Sequence, residues 1–229
     1  MIEYNDPQGS DAWLESRRGV VTASKARDAR AFKKNGESAS ERIAYAMDVA
    51  RERCGGKAAP VYQNAAMRMG SEEEQFAAIE YVARTGREVE TVGFITTDDG
   101  KFGVSLDRKL GDGAAIEIKT MVSSATLFKA MVDGDISEYR DQCLFGLWQL
   151  TLEWEDLGLW CPDLRALHIV RIHRDEDEIQ ALEDDLMAFD KLVTQYEARL
   201  KAKLMPAPTA QPAPSPQPAA TAPILEPTL

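Results

Sequence analysis

Two short stretches of strict alternation limit what this chain can fold into. Residues i and i+2 of a strand point to the same side of a sheet. In Ala115-Ile116-Glu117-Ile118-Lys119, that rule puts Ile116 and Ile118 on one face and Glu117 and Lys119 on the other. In Phe102-Gly103-Val104-Ser105-Leu106-Asp107, it separates Phe102, Val104 and Leu106 from Ser105 and Asp107. The glycine-rich connector from Arg108 to Gly113 suits an antiparallel hairpin. Pairing of the two strands would gather Asp107, Glu117 and Lys119 on one polar surface above an apolar one.

This set of side chains suits phosphate chemistry. Hard divalent cations take oxygen ligands, and Mg²⁺ commonly uses only one or two carboxylates beside substrate phosphates. Such a cation polarises a phosphoryl oxygen and activates water. A neighbouring lysine can orient the water or stabilise developing charge. Taken alone, Glu-x-Lys on a strand is equally a surface ion pair.

Composition sets the outer bounds. The 229 residues, 44% hydrophobic and 28% charged, suit one sizeable globular domain. No apolar run approaches the roughly 20 residues needed to span a bilayer, so no membrane association is expected. Cys54, Cys143 and Cys161 are odd in number and widely spaced, which suits reduced thiols in the cytoplasm rather than a disulfide frame or a zinc site. A net charge of −11 argues against a non-specific nucleic-acid coat. The charge is uneven, however. Seven basic residues lie between Trp13 and Lys34 (Arg17, Arg18, Lys25, Arg27, Arg30, Lys33 and Lys34), opposed only by Glu15 and Asp28. Acidic runs come later, at 175–178 and 183–185. A basic entry with acidic outer helices would fit a DNA channel, although charge runs are often only solvated faces.

Periodicity predicts helical pieces over 10–30 interrupted at Val20-Val21-Thr22, and helices over 38–53, 71–85, 123–132 and 137–153. Strands are expected over 89–96, 102–107, 114–120 and 167–172. The last helix, about 175–204, carries Ile179, Leu182, Leu186, Phe189, Val193, Tyr196, Leu200 and Leu204 at three- and four-residue steps. Helices around a sheet of at least four strands make a layered α/β (α+β) fold, here with a central mixed sheet flanked by helices. The folded domain should run over 1–205. Residues 206–229 hold eight of the eleven prolines and one charge, Glu226, and form a Pro/Ala-rich tail expected to be disordered.

Other candidates join the strand residues. Ser71-x-x-Glu74 is a capping box at a helix start, but Glu74 facing Asp107 would add a third carboxylate and make a two-metal site feasible. Arg17 and Ser24 suit a terminal phosphate, since arginine can grip one with two hydrogen bonds and serine can donate a third. They read equally as a surface arginine and a capping serine. Ser105 shares the face of Asp107 and could touch the same phosphate. Gln142 could place an amide near the site. The four tryptophans are expected in the core. No phosphate-binding Gly-x-x-x-x-Gly-Lys-Ser/Thr loop occurs, which speaks against an ATP-driven motor.

In order along the chain, Trp13-x-x-x-Arg17-x-Gly19-Val20-Val21-Thr22-Ala23-Ser24, Gly70-x-x-x-Glu74, Ser105-Leu106-Asp107, Glu117-Ile118-Lys119 and Tyr139-x-x-Gln142 resemble the motifs of the phage-type, lambda exonuclease-like alkaline exonucleases. These belong to the PD-(D/E)-x-K nuclease superfamily, with a restriction-endonuclease-like core. The resemblance runs from Trp13 to Leu204. Leu106 departs from it, standing where the family has proline.

The resemblance implies a 5′-to-3′ exonuclease that degrades one strand of linear double-stranded DNA to mononucleotides and leaves a 3′ single-stranded tail. Asp107, Glu117 and the Ile118 carbonyl would hold a first Mg²⁺ (manganese being the alternative), with Glu74 serving a second. Lys119 would position the water, with Gln142 beside it. Arg17, Ser24 and Ser105 would bind the 5′-phosphate. It also implies a homotrimeric ring around DNA, a single-strand annealing protein as partner in recombination, and a phage or prophage origin in the bacterial cytoplasm. Lysine as the water-activating group would favour alkaline pH. Two other readings stay open: another PD-(D/E)-x-K endonuclease, and a non-catalytic DNA-binding scaffold.

Overall fold

The computed structural model describes residues 1–58, 65–111 and 113–204. The Pro/Ala-rich tail over 206–229 lies outside them. In chain order the elements are β1 (Ile2–Tyr4), α1 (Asp11–Ser16), β2 (Val21–Thr22), a 3₁₀ turn (Ala23–Lys25), α2 (Ala26–Ala29), α3 (Ser40–Arg53) and α4 (Ala65–Thr85). Then follow β3 (Val89–Glu90), β4 (Phe94–Thr96), β5 (Phe102–Ser105), β6 (Arg108–Leu110), β7 (Ala114–Thr120), α5 (Ser124–Leu127) with a π-helical continuation (Phe128–Val132), and α6 (Ser137–Leu150). The chain then forms β8 (Trp154–Cys161), β9 (Ala166–His173) and α7 (Glu176–Leu204).

The strands form two mixed sheets rather than one. A four-stranded sheet has the order β1-β4-β5-β2, and a five-stranded sheet the order β3-β6-β7-β8-β9. The expected strand over 89–96 is split between them, β3 joining one sheet and β4 the other. The expected hairpin also moves. Arg108–Leu110 was read as connector, but it is strand β6, and it pairs antiparallel with β7 through Arg108↔Ile116 and Leu110↔Ala114. Thus β5 ends at Ser105, the chain changes sheets at Leu106-Asp107, and Asp107 sits at the junction.

Both alternation patterns hold. Phe102, Val104 and Leu106 are buried in the main core, against α6. The Phe102 ring meets Trp148 edge-on at 5.3 Å between centroids. Ile116 and Ile118 are buried on the opposite face of β7, packed with Ala77, Ala78 and Tyr81 of α4. Helix α7 buries the predicted stripe from Ile179 to Val193. Full burial of a Leu or Phe such as Leu182, Leu186 or Phe189 stabilises by about 1.5–3 kcal/mol each.

One further sequence expectation is corrected, and two strands are new. Helix α4 begins by Ala65, so Ser71 lies inside it and the capping-box role of Glu74 falls away. Strand β1 was unforeseen. So was β8, which pairs along its length with both β7 and β9 and is buried from Glu155 to Cys161.

Candidate active site

Where β7 runs past the end of β6, its backbone edge is open to another partner. The register of β6 stops at Ile116. Beyond it, the Ile118 N–H donates to Asp107 Oδ2 at 2.6 Å. The N–H and C=O of one strand residue point to the same edge, so the Ile118 carbonyl is directed toward the Asp107 side as well. The bend that moved Asp107 out of β5 is what brings its carboxylate to β7.

On the face of β7 covered by α6, Glu117, Lys119 and Gln142 form a closed triangle. Lys119 Nζ lies 2.7 Å from Glu117 Oε1 and donates to Gln142 Oε1 at 3.0 Å. Gln142 Nε2 donates to Glu117 Oε1 at 2.6 Å. Glu117 is only 4% exposed. Glu74 reaches the site from α4 through Arg108, whose guanidinium bridges the Glu74 carboxylate and the Asp107 carbonyl.

Charge at this point is out of balance. Burial, then the nearby Glu117 and Glu74 carboxylates, push the Asp107 carboxyl well above its ordinary value. Burial acts to lower Lys119, but Glu117 and Asp107 outweigh it and hold the ammonium more firmly than usual. A Lys119 that activates water by giving up its proton would therefore need a still more alkaline pH than an ordinary lysine.

The donors fit a hard cation. Asp107 and Glu117 supply two carboxylates and Ile118 a carbonyl, the set Mg²⁺ accepts beside water and phosphate. The mutual repulsion at Asp107 is what a divalent ion would relieve. Among the described residues, no three acidic, His or Cys side chains converge as a ready-made metal cage; Arg108 and Lys119 hold Glu74 and Glu117 in ion pairs instead.

A second group lies on the four-stranded sheet. Helix α1 is capped by Ser10, whose hydroxyl accepts from Trp13 N–H, and it ends at Arg17. One helical turn separates Trp13 from Arg17, and the guanidinium carbon lies 4.3 Å from the Trp13 ring centre and 4.9 Å from that of Phe94. Arg17 donates to Ser105 Oγ at 3.2 Å and to Ser24 Oγ at 3.4 Å. Burial lowers Arg17 to about 10, so it remains cationic at neutral pH. Gly103 makes room for this shelf, since a Cβ there would stand 2.3 Å from the Phe94 ring. The turn after Arg17 is gripped from α3, with Gly19 N–H donating to Glu52 and Gly19 C=O accepting from Arg53.

Four of the seven basic residues in this segment are already in ion pairs: Arg18, Lys25, Arg30 and Lys33. The broad basic entry read from the sequence therefore narrows. Arg17 is different, with two hydroxyls and two ring faces around it. Thus Arg17, Ser24 and Ser105 come together, Glu117, Lys119 and Gln142 come together, and Asp107 meets Ile118. Arg108 stands between Glu74 and Asp107.

The sequence reading passed over Arg108, Phe94 and Tyr45, whose hydroxyl accepts from Thr22 N–H beside Ser24. It also expected Trp13 in the core, whereas Trp13 is half-buried beneath Arg17. The four-residue step from Trp13 to Arg17 was the available signal.

With this geometry established, the comparisons decide the family. The model of the YqaJ-like viral recombinase domain matches residues 12–152, more than half of the chain. The chain belongs to the YqaJ-like viral recombinase family. It is also similar to the crystal structure of an alkaline exonuclease (LHK-Exo) from Laribacter hongkongensis, with 30% identity and a TM-score of 0.72 over 86% of this chain and 100% of that one. The structure of LHK-Exo in complex with dAMP matches at the same identity and coverage, with a TM-score of 0.73. A phage-related exonuclease from Haemophilus somnus 129PT shares the fold at 13% identity, with a TM-score of 0.65 over 81% of this chain and 96% of that one. No curated protein sequence matches the chain. The resemblance to phage-type alkaline exonucleases is borne out by these matches. Among the described residues, no helix is long and apolar enough to cross a membrane.

Proposed function

We propose that this chain is a Mg²⁺-dependent exonuclease that degrades one strand of linear double-stranded DNA from its 5′ end. It would release mononucleotides and leave a 3′ single-stranded tail for annealing-type recombination. Family membership and the likeness to LHK-Exo support a DNA exonuclease. The observation that carries the finer reading is the position of Arg17. A desolvated cation, fixed on hydroxyls and ring faces, stands against Ser105, two residues before a carboxylate cluster. That arrangement suits a terminal phosphate beside a phosphodiester to be cut.

Each residue then has a defined task. Arg17, Ser105 and Ser24 bind the 5′-phosphate with charge-assisted and hydroxyl hydrogen bonds. Asp107, Glu117 and the Ile118 carbonyl would hold Mg²⁺, with Glu74 available for a second ion once released from Arg108. When bound, the ion polarises the phosphoryl oxygen and lowers the pKa of water. Lys119 keeps its proton and presents positive charge to the phosphate or to the attacking water. Gln142 orients both Lys119 and Glu117. The dAMP bound to LHK-Exo is a 5′-mononucleotide, the class of product this scheme releases.

The test is digestion of three substrates with and without Mg²⁺: linear duplex with a 5′-phosphate, the same duplex with a 5′-hydroxyl, and a closed circle. Loss of the phosphorylated linear strand only with Mg²⁺, with the circle intact, is expected. A cut circle would move the chain to an endonuclease, and binding without any cleavage would leave a scaffold. The homotrimeric ring, the annealing partner and a place in the cytoplasm of a phage-bearing bacterium belong to the same proposal. Sedimentation of the purified protein tests the trimer.

A further inference from the structure

Strand β8 carries a buried acid that the scheme above does not use. Glu155 is 1% exposed and lies opposite Ala115 in the β7–β8 register, so its side chain shares the face of Glu117 and Lys119. Helix α6 covers that face and meets Glu155 at two points. The Cys143 thiol is a close neighbour of the Glu155 carboxyl. One turn further on, Gly146 lies so close that a Cβ there would stand 2.5 Å from Glu155 Oε2 and 3.7 Å from Leu106 Cδ2. Glu155 Oε2 has no hydrogen-bond partner among the described residues. A buried carboxyl without a cation is costly as an anion. Burial and the Glu117 carboxylate accordingly push the Glu155 carboxyl well above its ordinary value.

Two neighbours give this contact its consequence. Cys143 follows Gln142, the residue that ties Glu117 to Lys119. Leu106 precedes Asp107. The notch at Gly146 is therefore where α6 beds down on β8 and on the residue before Asp107.

We infer that Glu155 is a positioning residue for the reaction, seating helix α6 through Cys143 and Gly146 and thereby fixing Gln142 between Glu117 and Lys119. The inference rests on the proposed reading of Gln142, Glu117 and Lys119 as the reaction site. Misplacing a catalytic group by about 1 Å can cost on the order of 100-fold in rate.

The experiment is a double-mutant cycle on the full chain, measuring kcat and KM for 5′-phosphorylated duplex together with thermal melting. Glu155→Gln keeps the shape that fills the Gly146 notch and should keep kcat. Glu155→Leu and Gly146→Ala should each lower kcat by about 10- to 100-fold with KM for DNA unchanged. In a Gln142→Ala background, neither should lower kcat further, because groups acting through one another are not additive. Loss of activity in Glu155→Gln would overturn the inference in favour of a charge or proton role. A full additional loss in the Gln142→Ala background would overturn it in favour of a general loss of packing, which melting would register in parallel. If Gln142→Ala itself leaves kcat unchanged, the reading of the site fails instead, and the inference falls with it.

Discussion

The phosphate seat and the carboxylate cluster are opposites in charge and in how that charge is handled. Around Arg17 a single cation is desolvated and, among the described residues, is met by hydroxyls and ring faces rather than by a carboxylate. At Asp107 a buried carboxyl feels the Glu117 and Glu74 carboxylates, which are themselves held by Lys119 and Arg108. One region suits an anion and the other a cation. The lesson is that ion pairs inside a site can hide its charge: Glu117 and Glu74 look like satisfied salt bridges, and the repulsion shows at their neighbours Asp107 and Glu155.

Breaking either side should separate the two roles. The largest effect is expected for Lys119→Ala, which should lower the cleavage rate by about 1,000-fold while duplex binding in a gel-shift assay persists; full activity in that variant would sink the site assignment. Next, Arg17→Ala should reduce the preference for 5′-phosphorylated over 5′-hydroxyl ends by roughly 10- to 100-fold, the worth of a charge-assisted hydrogen bond. An unchanged ratio between the two ends would refute the seat.

A stability measurement sharpens the comparison. The folded-state pKa of Asp107 lies above its ordinary value of 3.8, so the folded protein grips that proton more tightly than the unfolded chain does. The stabilisation is complete below the unfolded pKa and is lost as pH rises through the folded one. Above the folded pKa the ionised carboxylate therefore destabilises the protein in chelator. Asp107→Asn should raise the melting temperature there by about 2–4 °C, the equivalent of about 1 kcal/mol for a chain of this size, while abolishing cleavage. A lower melting temperature would contradict the charge imbalance. The smallest effect is expected for Trp13→Leu, which removes one ring face from Arg17. It should weaken the 5′-phosphate preference by about threefold, in line with a cation–π contact. A ratio equal to that of the parent protein would show that the ring contributes nothing.

The chemistry was more legible in the sequence than the sheet that carries it. Alternation exposed Glu117 with Lys119 and Ser105 with Asp107, because a strand's two-residue period is a local property. The change of sheets at Leu106-Asp107 was not local. It depends on β6 pairing with β7, and a three-residue strand of Arg108, Lys109 and Leu110 shows no apolar alternation. Strand β8 was hidden for a different reason. Glu155 and Asp156 make its start look like solvated surface, but both are buried against tertiary partners. Asp156 accepts from Tyr81 at 2.8 Å and from Arg171 at 2.9 and 3.0 Å, and the Glu155 carboxyl, pushed well above its ordinary value, lies against α6. Glu74 shows the converse error. A local capping motif was present, but the helix had begun earlier, by Ala65.

The crossing of the chain between sheets has one more consequence. Ser105, at the seat, and Asp107, at the cluster, are two residues apart where the chain bends from one sheet to the other, so their α-carbons can lie at most about 7 Å apart. Peptide geometry caps that length, since the two ends can move no farther apart than the fully extended chain allows. On the proposed reading, the segment is a gauge: the anchored end and the bond to be broken are spaced by the chain itself. The size of each piece removed is then set by a molecular ruler, independent of how fast the enzyme turns over or which base it holds.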